Sequence, residues 1–207
     1  MFYYTKTPFW LKWLYPSCLW NYPDTGQKII YLSFDDGPHP EATPFVLDML
    51  KQYGAKACFF CIGKNVVQQP AIYKRILLEG HRVGNHTHNH LNGWKTDSRV
   101  YFEDIEKART QIDSDLFRPP YGRISAFQIL NLQEKWKYRI VMWDILSGDF
   151  DPNLNGEQSA ERVIRKTRSG SIVVFHDSAK AFRVLQTALP KVLEYFSSRG
   201  YRFEVIR

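Results

Sequence analysis

Cysteine is scarce in this sequence, with only three among 207 residues, at positions 18, 58 and 61. A low, odd count argues against the disulfide framework that stabilises many small secreted domains. Cys58 and Cys61 have the spacing of a redox motif, but in redox enzymes that motif opens a helix. Here both lie inside an apolar segment that we predict to be a strand, where the two thiols would point to opposite faces. We therefore interpret them as core residues.

Long apolar runs are lacking as well. No run reaches the ~18 apolar residues that a membrane-spanning helix needs, so we predict no transmembrane segment. The aromatic N-terminal segment, residues 1–27, is interrupted by Lys6, Pro8, Lys12 and Pro16 and shows no small-residue cleavage signal. We predict no signal peptide, which makes the cytoplasm the default compartment. We expect this segment to pack on the fold, with insertion into a membrane interface as the alternative.

Blocks of like charge are missing too. The chain has 28 Lys and Arg against 21 Asp and Glu, a net charge of +7, but these residues are scattered. We find no nucleic-acid-binding motif, so a solvated basic surface is favoured over a nucleic-acid partner. A hydrophobic content of 44% and a charged content of 24% are ordinary for a soluble globular protein, and the length suits one domain.

The sequence does contain a regular alternation of short apolar runs and helical patterns. The predicted strands cover residues 28–34, 56–62, 81–84, 116–118, 138–143, 171–175 and 201–206. The predicted helices cover residues 43–53, 70–79, 98–114, 125–135, 157–167 and 181–199. Repeated βα units imply parallel strands joined by right-handed crossovers. We predict an α/β fold, a distorted and incompletely closed (β/α)7 barrel related to the TIM barrel, with an open doubly wound sheet as the alternative.

The first predicted strand ends abruptly at Asp35-Asp36-Gly37-Pro38. Glycine permits positive φ and proline fixes φ, so the chain must turn there. Two adjacent carboxylates therefore lie at the carboxyl end of a buried strand, the edge at which parallel α/β folds build their sites. Because Asp-Gly-Pro alone is more typical of a turn than of a catalyst, a functional interpretation requires complementary groups on other strands.

Such groups follow the other predicted strands. They are His86 to His90, Arg118 to Gly122, Asp144 to Asp149, and His176 with Asp177. In a barrel the carboxyl ends of the strands share one rim. We therefore expect these clusters to converge on Asp35 and Asp36.

The residue types in these clusters suggest metal-assisted hydrolysis. His86 and His90 are four residues apart and would face the same way on a helical turn, and with Asp36 they would form an open Zn²⁺ site. We interpret His88, which lies between them, as a non-ligand, and His81 as structural.

A bound divalent cation lowers the pKa of its water and polarises a carbonyl oxygen. Hydrolysis then needs a base for the water proton and an acid for the leaving group. We predict Asp35 as the base and His176 as the acid. Arg118 would orient Asp35, and Asp149 would keep His176 cationic.

With these residues the chain resembles the NodB-homology polysaccharide deacetylases, carbohydrate esterase family 4, from about Lys28 to the C-terminus. The matching segments, in order, are LSFDDGP, GNHTHNH, RPPYG, WDILSGDF and VVFHD. Five motifs in register are specific, although each alone would be weak. The resemblance implies a single catalytic domain over residues 28–207, with residues 1–27 packed on the barrel.

The resemblance further implies a hydrolase that removes N-acetyl groups from N-acetylglucosamine-type residues of an oligo- or polysaccharide, either peptidoglycan-like or chitin-like. It assigns the metal to Asp36, His86 and His90, with Zn²⁺ expected and Co²⁺, Ni²⁺ or Mn²⁺ as alternatives. It gives Asp35 the role of base and His176 the role of acid. We expect a monomer.

The resemblance also implies substrate contacts. Trp143 and Val174 would flank a small pocket for the acetyl methyl group, and the backbone N–H of Tyr121, next to Pro120, would stabilise the tetrahedral oxyanion. Trp94 follows the metal motif and could stack on a sugar ring, although packing on the rim is at least as compatible with its position.

Two positions depart from the family pattern. Leu146 stands where an extra Asp is frequent, and Phe150 stands where Trp is frequent. These departures keep other substrates of the same fold open, namely a formamido sugar, an imide or O-acetyl xylan. A non-catalytic glycan-binding protein is disfavoured because all the predicted ligands and both proton-transfer groups are present. Many family members act outside the cytoplasm.

Overall fold

The computed structural model describes residues 3–207, and within them eight short strands form one sheet. The strands are β1 (Ile29–Asp35), β2 (Ala57–Cys61), β3 (Arg82–Asn85), β4 (Leu116–Phe117), β5 (Arg139–Ile140), β6 (Ile145–Leu146), β7 (Ile172–His176) and β8 (Arg202–Phe203). The helices are α1 (Phe9–Leu14), α2 (Ala42–Gln52), α3 (Gly63–Gln68), α4 (Pro70–Leu78), α5 (Ser98–Arg109), α6 (Ala126–Trp136), α7 (Gly156–Lys166) and α8 (Ala179–Ser197).

All pairs among these strands are parallel, in the order β5-β4-β3-β2-β1-β7-β6, with β8 beside the first residues of β1. Helices connect successive strands along most of the chain, as right-handed βα units require. The two edge strands, β5 and β6, are consecutive in the sequence, so the sheet curls into a barrel that stays open between them. The predicted α/β fold class, an incompletely closed barrel, is confirmed.

The sheet buries both of its faces, and side chains alternate between them. In β1, Ile30, Leu32 and Phe34 pack in a cluster that also contains apolar residues of α2 and α8, while Ser33 and Asp35 lie on the opposite, inner face. This pairing of a helix-covered face with an inner face explains the nearly continuous apolar runs of the central strands.

The two cysteines of β2 follow the same alternation. Cys58 belongs to the inner cluster and Cys61 to the helix-covered cluster, and both are buried and free. They therefore serve as core residues.

The predicted strand 138–143 is wrong in its extent. Only Arg139–Ile140 pairs with β4, and the chain then crosses the open side of the barrel to pair Ile145–Leu146 with β7. Residues 145 and 146 lie outside every predicted strand. A continuous apolar run cannot reveal where its partner strand changes, because both halves are buried.

The N-terminal segment hydrogen-bonds to both open edges of the barrel. Leu146 N donates to Thr5 O (2.8 Å), and on the other edge Leu19 N donates to Ile140 O (2.8 Å). Between these contacts lies α1, which was not predicted. Among residues 3–207, no helix combines the length and apolarity needed to cross a bilayer.

Candidate active site

The carboxyl ends of the strands bring the sequence-predicted residues together. Asp35 ends β1 and His176 ends β7, and the two are direct neighbours in the strand register. Arg118 directly follows β4, and His86 directly follows β3. The rim of the barrel therefore gathers the groups that follow β1, β3, β4 and β7.

Arg118 fixes Asp35 from inside the barrel. Its side chain is fully buried, and Nη1 lies 2.6 Å from Asp35 Oδ1 and 2.8 Å from Ser33 Oγ. Nε and Nη2 donate to the carbonyl oxygens of Val141 and Met142. The guanidinium carbon also lies 4.0 Å from the centre of the Phe60 ring. These contacts fix the orientation of the guanidinium, which in turn orients the Asp35 carboxylate.

The chain turns sharply directly after Asp35. Asp36 has a φ of +81°, and the next residue, Gly37, contacts the buried carboxylate of Asp177. Gly37 N donates to Asp177 Oδ1 at 3.1 Å, and Thr43 Oγ1 donates to Asp177 Oδ2. A Cβ at position 37 would lie only 2.0 Å from Asp177 Oδ2, so only glycine fits there. Burial is the main cause that raises the pKa of Asp177, to about 8.

Asp36 faces the two histidines predicted as its metal partners. Asp36 Oδ1 lies 3.1 Å from His90 Nε2 and 3.7 Å from His86 Nε2, and one ligand atom of each residue lies within 4.8 Å of the others. Asp36 Oδ1 is buried, yet it makes no hydrogen bond with any residue in the described range 3–207. A buried acceptor without a donor is costly, and a cation between the carboxylate and the imidazoles would satisfy it. The donor set therefore fits a metal ion.

The electrostatics of the cluster also suit a cation. Burial lowers the pKa of His86 to about 4, so its imidazole is neutral near pH 7. Its Nδ1 lies 2.6 Å from Arg118 O, which makes Nδ1 the protonated nitrogen and leaves Nε2 as the acceptor facing Asp36. Burial alone would raise the pKa of Asp36, but the adjacent His90 imidazole, 3.1 Å away, and the positive charge of His176 outweigh burial and hold this pKa below its usual range.

The segment between the two histidines is not the helical turn that we expected. Residues 86–90 form an irregular loop in which Thr87 and His90 have positive φ. Asp104 Oδ2 accepts the backbone N–H groups of His88 and Asn89, and so side-chain acceptors replace the hydrogen bonds of a helix. His86 and His90 converge nevertheless.

The two other histidines of this region lie outside the cluster. The imidazole Nδ1 of His88 lies near the backbone of Gly63 rather than near Asp36. His81 Nδ1 accepts a hydrogen bond from Ala57 N at 3.2 Å, and its ring contacts Phe59 edge-on.

His176 is held by Asp149. His176 Nδ1 lies 2.8 Å from Asp149 Oδ1, and His176 N donates to Asp149 Oδ2 at 2.7 Å. Burial lowers the pKa of His176, but the charge and hydrogen bond of Asp149, together with Asp36 and Asp35, outweigh burial and raise this pKa to about 9. His176 is therefore cationic at neutral pH, with Nε2 available to donate a proton.

The loop that carries Asp149 is supported by the N-terminal segment. The ring of Phe150 lies 5.2 Å from the His176 ring on one side and 5.2 Å from the Tyr3 ring on the other. Tyr3 Oη donates to Asp151 Oδ2 at 2.8 Å and accepts from Arg162 Nη1 at 3.1 Å. Tyr3 thus fixes the position of the loop immediately behind the His176–Asp149 pair.

Tyr121 and Trp143, two of the residues predicted to contact substrate, belong to segments that contact each other. Tyr121, which follows buried Pro120, has a φ of +60° and an exposed side chain whose hydroxyl lies 3.1 Å from His90 Nδ1. Trp143 packs against the backbone of Gly122 in the same loop.

Val174, which we predicted to bound an acetyl pocket, lies on the inner face of the sheet. Val174 is two residues before His176 on β7 and is paired in register with Leu146. Its side chain therefore shares a face with His176. Leu146, one of the family departures, places an apolar side chain beside Val174.

Trp94 lies on the same rim but is partly engaged. Its indole N–H donates to Ile124 O at 2.9 Å, and the Arg123 guanidinium lies 4.2 Å from the ring centre. Trp94 nevertheless remains 56% exposed, so part of its side chain is accessible.

Sequence reasoning missed several groups that shape this site. Ser33, Asp177 and Tyr3 received no role, and for Tyr121 only the backbone was considered. Asp177 alone carried a signal, because it follows His176 at a strand end. Ser33 lies inside a strand and Tyr3 is far from the site in sequence, so neither could be found by spacing.

The chain is similar to known polysaccharide deacetylases. A family model described as polysaccharide deacetylase matches residues 22–141. A Bacillus cereus protein named peptidoglycan-N-acetylglucosamine deacetylase is 36% identical over 196 residues, covering 90% of each chain. A chitooligosaccharide deacetylase of Azorhizobium caulinodans is 35% identical over 159 residues, covering 73% of this chain and 74% of the relative. The crystal structure of the Bc1960 peptidoglycan N-acetylglucosamine deacetylase superposes with a TM-score of 0.85 at 30% identity, covering 97% of this chain and 95% of that one.

Proposed function

This chain belongs to the polysaccharide deacetylase family, carbohydrate esterase family 4, and from that premise we propose that it removes N-acetyl groups from N-acetylglucosamine-type residues of an oligo- or polysaccharide. One observation carries the proposal. An arginine-fixed carboxylate, Asp35, and a cationic imidazole, His176, end adjacent strands in register, beside the Asp36–His86–His90 cluster. A base and an acid held apart by different partners are what amide hydrolysis requires.

Deacetylases of this family are metal-dependent, and Asp36, His86 and His90 would hold the ion. One carboxylate oxygen and two imidazole nitrogens, with coordination positions left open, favour Zn²⁺ among the divalent cations. The ion supplies Lewis acidity, which lowers the pKa of a water ligand and polarises a carbonyl oxygen.

Asp35 acts as the base in this proposal. Arg118 Nη1 engages Asp35 through Oδ1 and leaves Oδ2 free of this contact. As the water oxygen bonds to the acetyl carbonyl carbon, its proton passes to Asp35. The backbone N–H of Tyr121 would donate to the oxyanion that develops on the carbonyl oxygen.

His176 acts as the acid. The C–N bond breaks as His176 Nε2 gives its proton to the sugar nitrogen, and the products are acetate and a free amine. Asp149 holds Nδ1 and so directs Nε2 towards the rim. An amine departs poorly as a leaving group unless it is protonated. The proton transfer from His176 should therefore limit the rate when His176 is neutral.

Val174 and Trp143 would bound the pocket for the acetyl methyl group, with Leu146 beside Val174. The wholly apolar pair on β6 and β7 suits a methyl group. Relatives named for peptidoglycan and for chitooligosaccharides support these two glycan classes as substrates. Trp94 would stack on a neighbouring sugar with the accessible part of its side chain.

The test is acetate release by the Zn²⁺-loaded protein from N-acetylglucosamine oligomers and from peptidoglycan fragments, beside a chelated sample. We expect acetate release that the chelator abolishes and that Zn²⁺ restores. Formate release from formamido sugars, imide opening or O-acetyl xylan hydrolysis, measured in parallel, would assign a different substrate. Glycan binding by the metal-loaded protein without release of acetate or any other product would contradict the proposed enzymatic activity.

A further inference from the structure

Helix α1 presents an apolar face to solvent. Phe9 and Trp13 are 85% and 79% exposed, and Leu14 and Trp10 are 55% and 46% exposed. Positions 9 and 13, and positions 10 and 14, are one turn apart, so the four side chains share one side of the helix. We call these four residues the aromatic face.

The inner side of the same helix carries its polar residue. Lys12 Nζ bonds Asp144 Oδ1 at 2.7 Å and Asn21 Oδ1 at 2.7 Å, while Leu11 and Tyr15 pack on a core cluster. A surface helix normally turns its apolar stripe to the core and its charges to water. In α1 the lysine is turned inward and two tryptophans are turned outward, so folding of the barrel does not account for the aromatic face.

A basic groove includes a residue that lies close to α1 in the sequence. It is lined by Thr5, Gln158, Glu161, Arg162, Arg165 and Lys166. Three of these side chains are cationic, and only Glu161, which pairs with Arg165, is acidic. Exposed Lys6 follows Thr5 directly. Because Thr5 and Phe9 are four residues apart, they are separated by at most about 14 Å.

The sequence around the aromatic face is positively charged, like the basic groove. Residues 1–23 contain two lysines and no Asp or Glu. Trp, Phe and Leu, together with Lys and Arg, are enriched in protein segments that lie at the boundary between lipid headgroups and acyl chains.

We propose that the aromatic face of α1 docks on an anionic membrane surface, with the basic groove against the lipid headgroups. The helix has six residues and is about 9 Å long, so it lies in the interface rather than crossing the bilayer. Apolar insertion and attraction to anionic lipids are the two contributions that together give stable membrane attachment.

A second copy of the chain fits the aromatic face less well. The four side chains expose an apolar area on the order of 500 Å², if each fully exposed aromatic side chain offers about 200 Å². A stable protein interface buries roughly 800 Å² on each partner. Docking on a lipid surface requires no such minimum buried area, and anionic headgroups would also attract the positive charges of the basic groove.

The test is co-sedimentation of the full chain with vesicles of phosphatidylglycerol and phosphatidylcholine (1:1) and with vesicles of phosphatidylcholine alone. We expect the anionic vesicles to bind the protein at least tenfold more tightly, and high salt to weaken that binding. The double variant Phe9→Ser/Trp13→Ser should lose binding at least tenfold. The double variant Arg165→Gln/Lys166→Gln should lower binding to the anionic vesicles and leave binding to the phosphatidylcholine vesicles unchanged.

The matched control is Leu78→Ser/Phe127→Ser, which removes two comparably exposed apolar side chains, 75% and 61% exposed, from α4 and α6. It should bind like the unmodified chain, and thermal melts should show that each variant is folded. Equal loss in the control and the α1 variant, or absence of binding to anionic vesicles, would overturn the proposal. A dimer in light scattering that Phe9→Ser/Trp13→Ser dissociates would assign the face to a second copy instead. None of these readouts depends on deacetylase activity.

Discussion

Replacing Asp149 by asparagine should separate acid catalysis from the rest of the reaction. Asp149 Oδ1 accepts from His176 Nδ1 and Oδ2 accepts from His176 N, at 2.8 and 2.7 Å. An asparagine side chain offers one acceptor and one NH₂ group in these two places. It removes the negative charge behind the imidazole and leaves one of the two contacts mismatched.

The magnitude follows from the pKa of His176, which the site raises from 6.5 to about 9. A shift of that size corresponds to a differential interaction on the order of 3 kcal/mol. Without the Asp149 charge, burial should bring the pKa of His176 to 6.5 or lower, so less than about a quarter of the molecules would carry the proton at pH 7. General acid catalysis contributes about 10²- to 10⁴-fold, and we expect kcat on N-acetyl sugars to fall within that range.

The assay compares two leaving groups. An amine must be protonated as it departs, whereas the phenolate of 4-nitrophenyl acetate leaves without a proton, so Asp149→Asn should slow the ester less than about tenfold. The alkaline limb of the kcat profile on N-acetyl sugars should also move to lower pH. Asp144→Asn is the matched control, because Asp144 is buried and salt-bridged to Lys12 but does not touch His176. It should lower stability and leave the amide-to-ester ratio unchanged.

Stability should respond in a defined pH window. Because the pKa of His176 is raised in the folded state, its contribution to the unfolding free energy is complete below pH 6.5 and is lost as pH rises towards 9. The metal-free chain should therefore lose stability across this interval, and Asp149→Asn should lose less, because only the contribution of Asp177, whose pKa is raised to about 8, remains there. If Asp149→Asn lowered kcat equally on amide and ester substrates and left the alkaline limb of the kcat profile unmoved, the assignment of Asp149 and His176 would be refuted.

Substitutions at four further residues test the other parts of the site. His86→Ala should lose bound metal, measured by elemental analysis, and activity together, because it removes one of three ligands. Asp35→Asn should keep the metal and lose at least about 10²-fold in kcat; loss of metal would reverse the roles of base and ligand. Trp94→Ala should raise KM for chito-oligomers about fivefold with kcat unchanged, as loss of a ring contact of about 1 kcal/mol implies, and an unchanged KM would exclude stacking. Tyr3→Phe keeps the ring on Phe150 but loses two hydrogen bonds, so kcat should fall up to about tenfold, whereas Tyr3→Ala should cost more.

The central strands could be predicted from the sequence because each is an apolar run closed by turn-forming residues. The prediction ended β1 at Phe34, one residue short, because Asp35 is polar but still belongs to the ladder. The crossing between β5 and β6 could not be predicted, since pairing partners are set by the curl of the whole sheet. Helix α1 was missed because its six residues include one polar side chain, Lys12, and so show no amphipathic periodicity.

The site was more predictable than the fold because strand ends meet at one rim. That rule is enough to bring Asp35, Arg118 and His176 together before any coordinates are known. It says nothing about the groups that hold them. Asp177 supports the turn at Gly37 through the backbone, and such support depends on distances that sequence spacing does not encode.

Two adjacent aspartates acquire different roles because the chain reverses between them. Asp35 is the last residue of β1 and points inside the barrel, where the buried guanidinium of Arg118 engages it. Asp36 adopts a φ of +81°, so its carboxylate leaves the strand direction and meets His86 and His90 instead. A regular strand would also have separated the two carboxylates, but it would have sent the second one to the helix-covered face. The left-handed turn is what brings both to the rim, and a side chain at Gly37 would collide with Asp177 and displace that turn. The division into base and ligand therefore depends on backbone geometry at two residues, and any substitution that straightens this turn should abolish metal binding while leaving the contact between Asp35 and Arg118 in place.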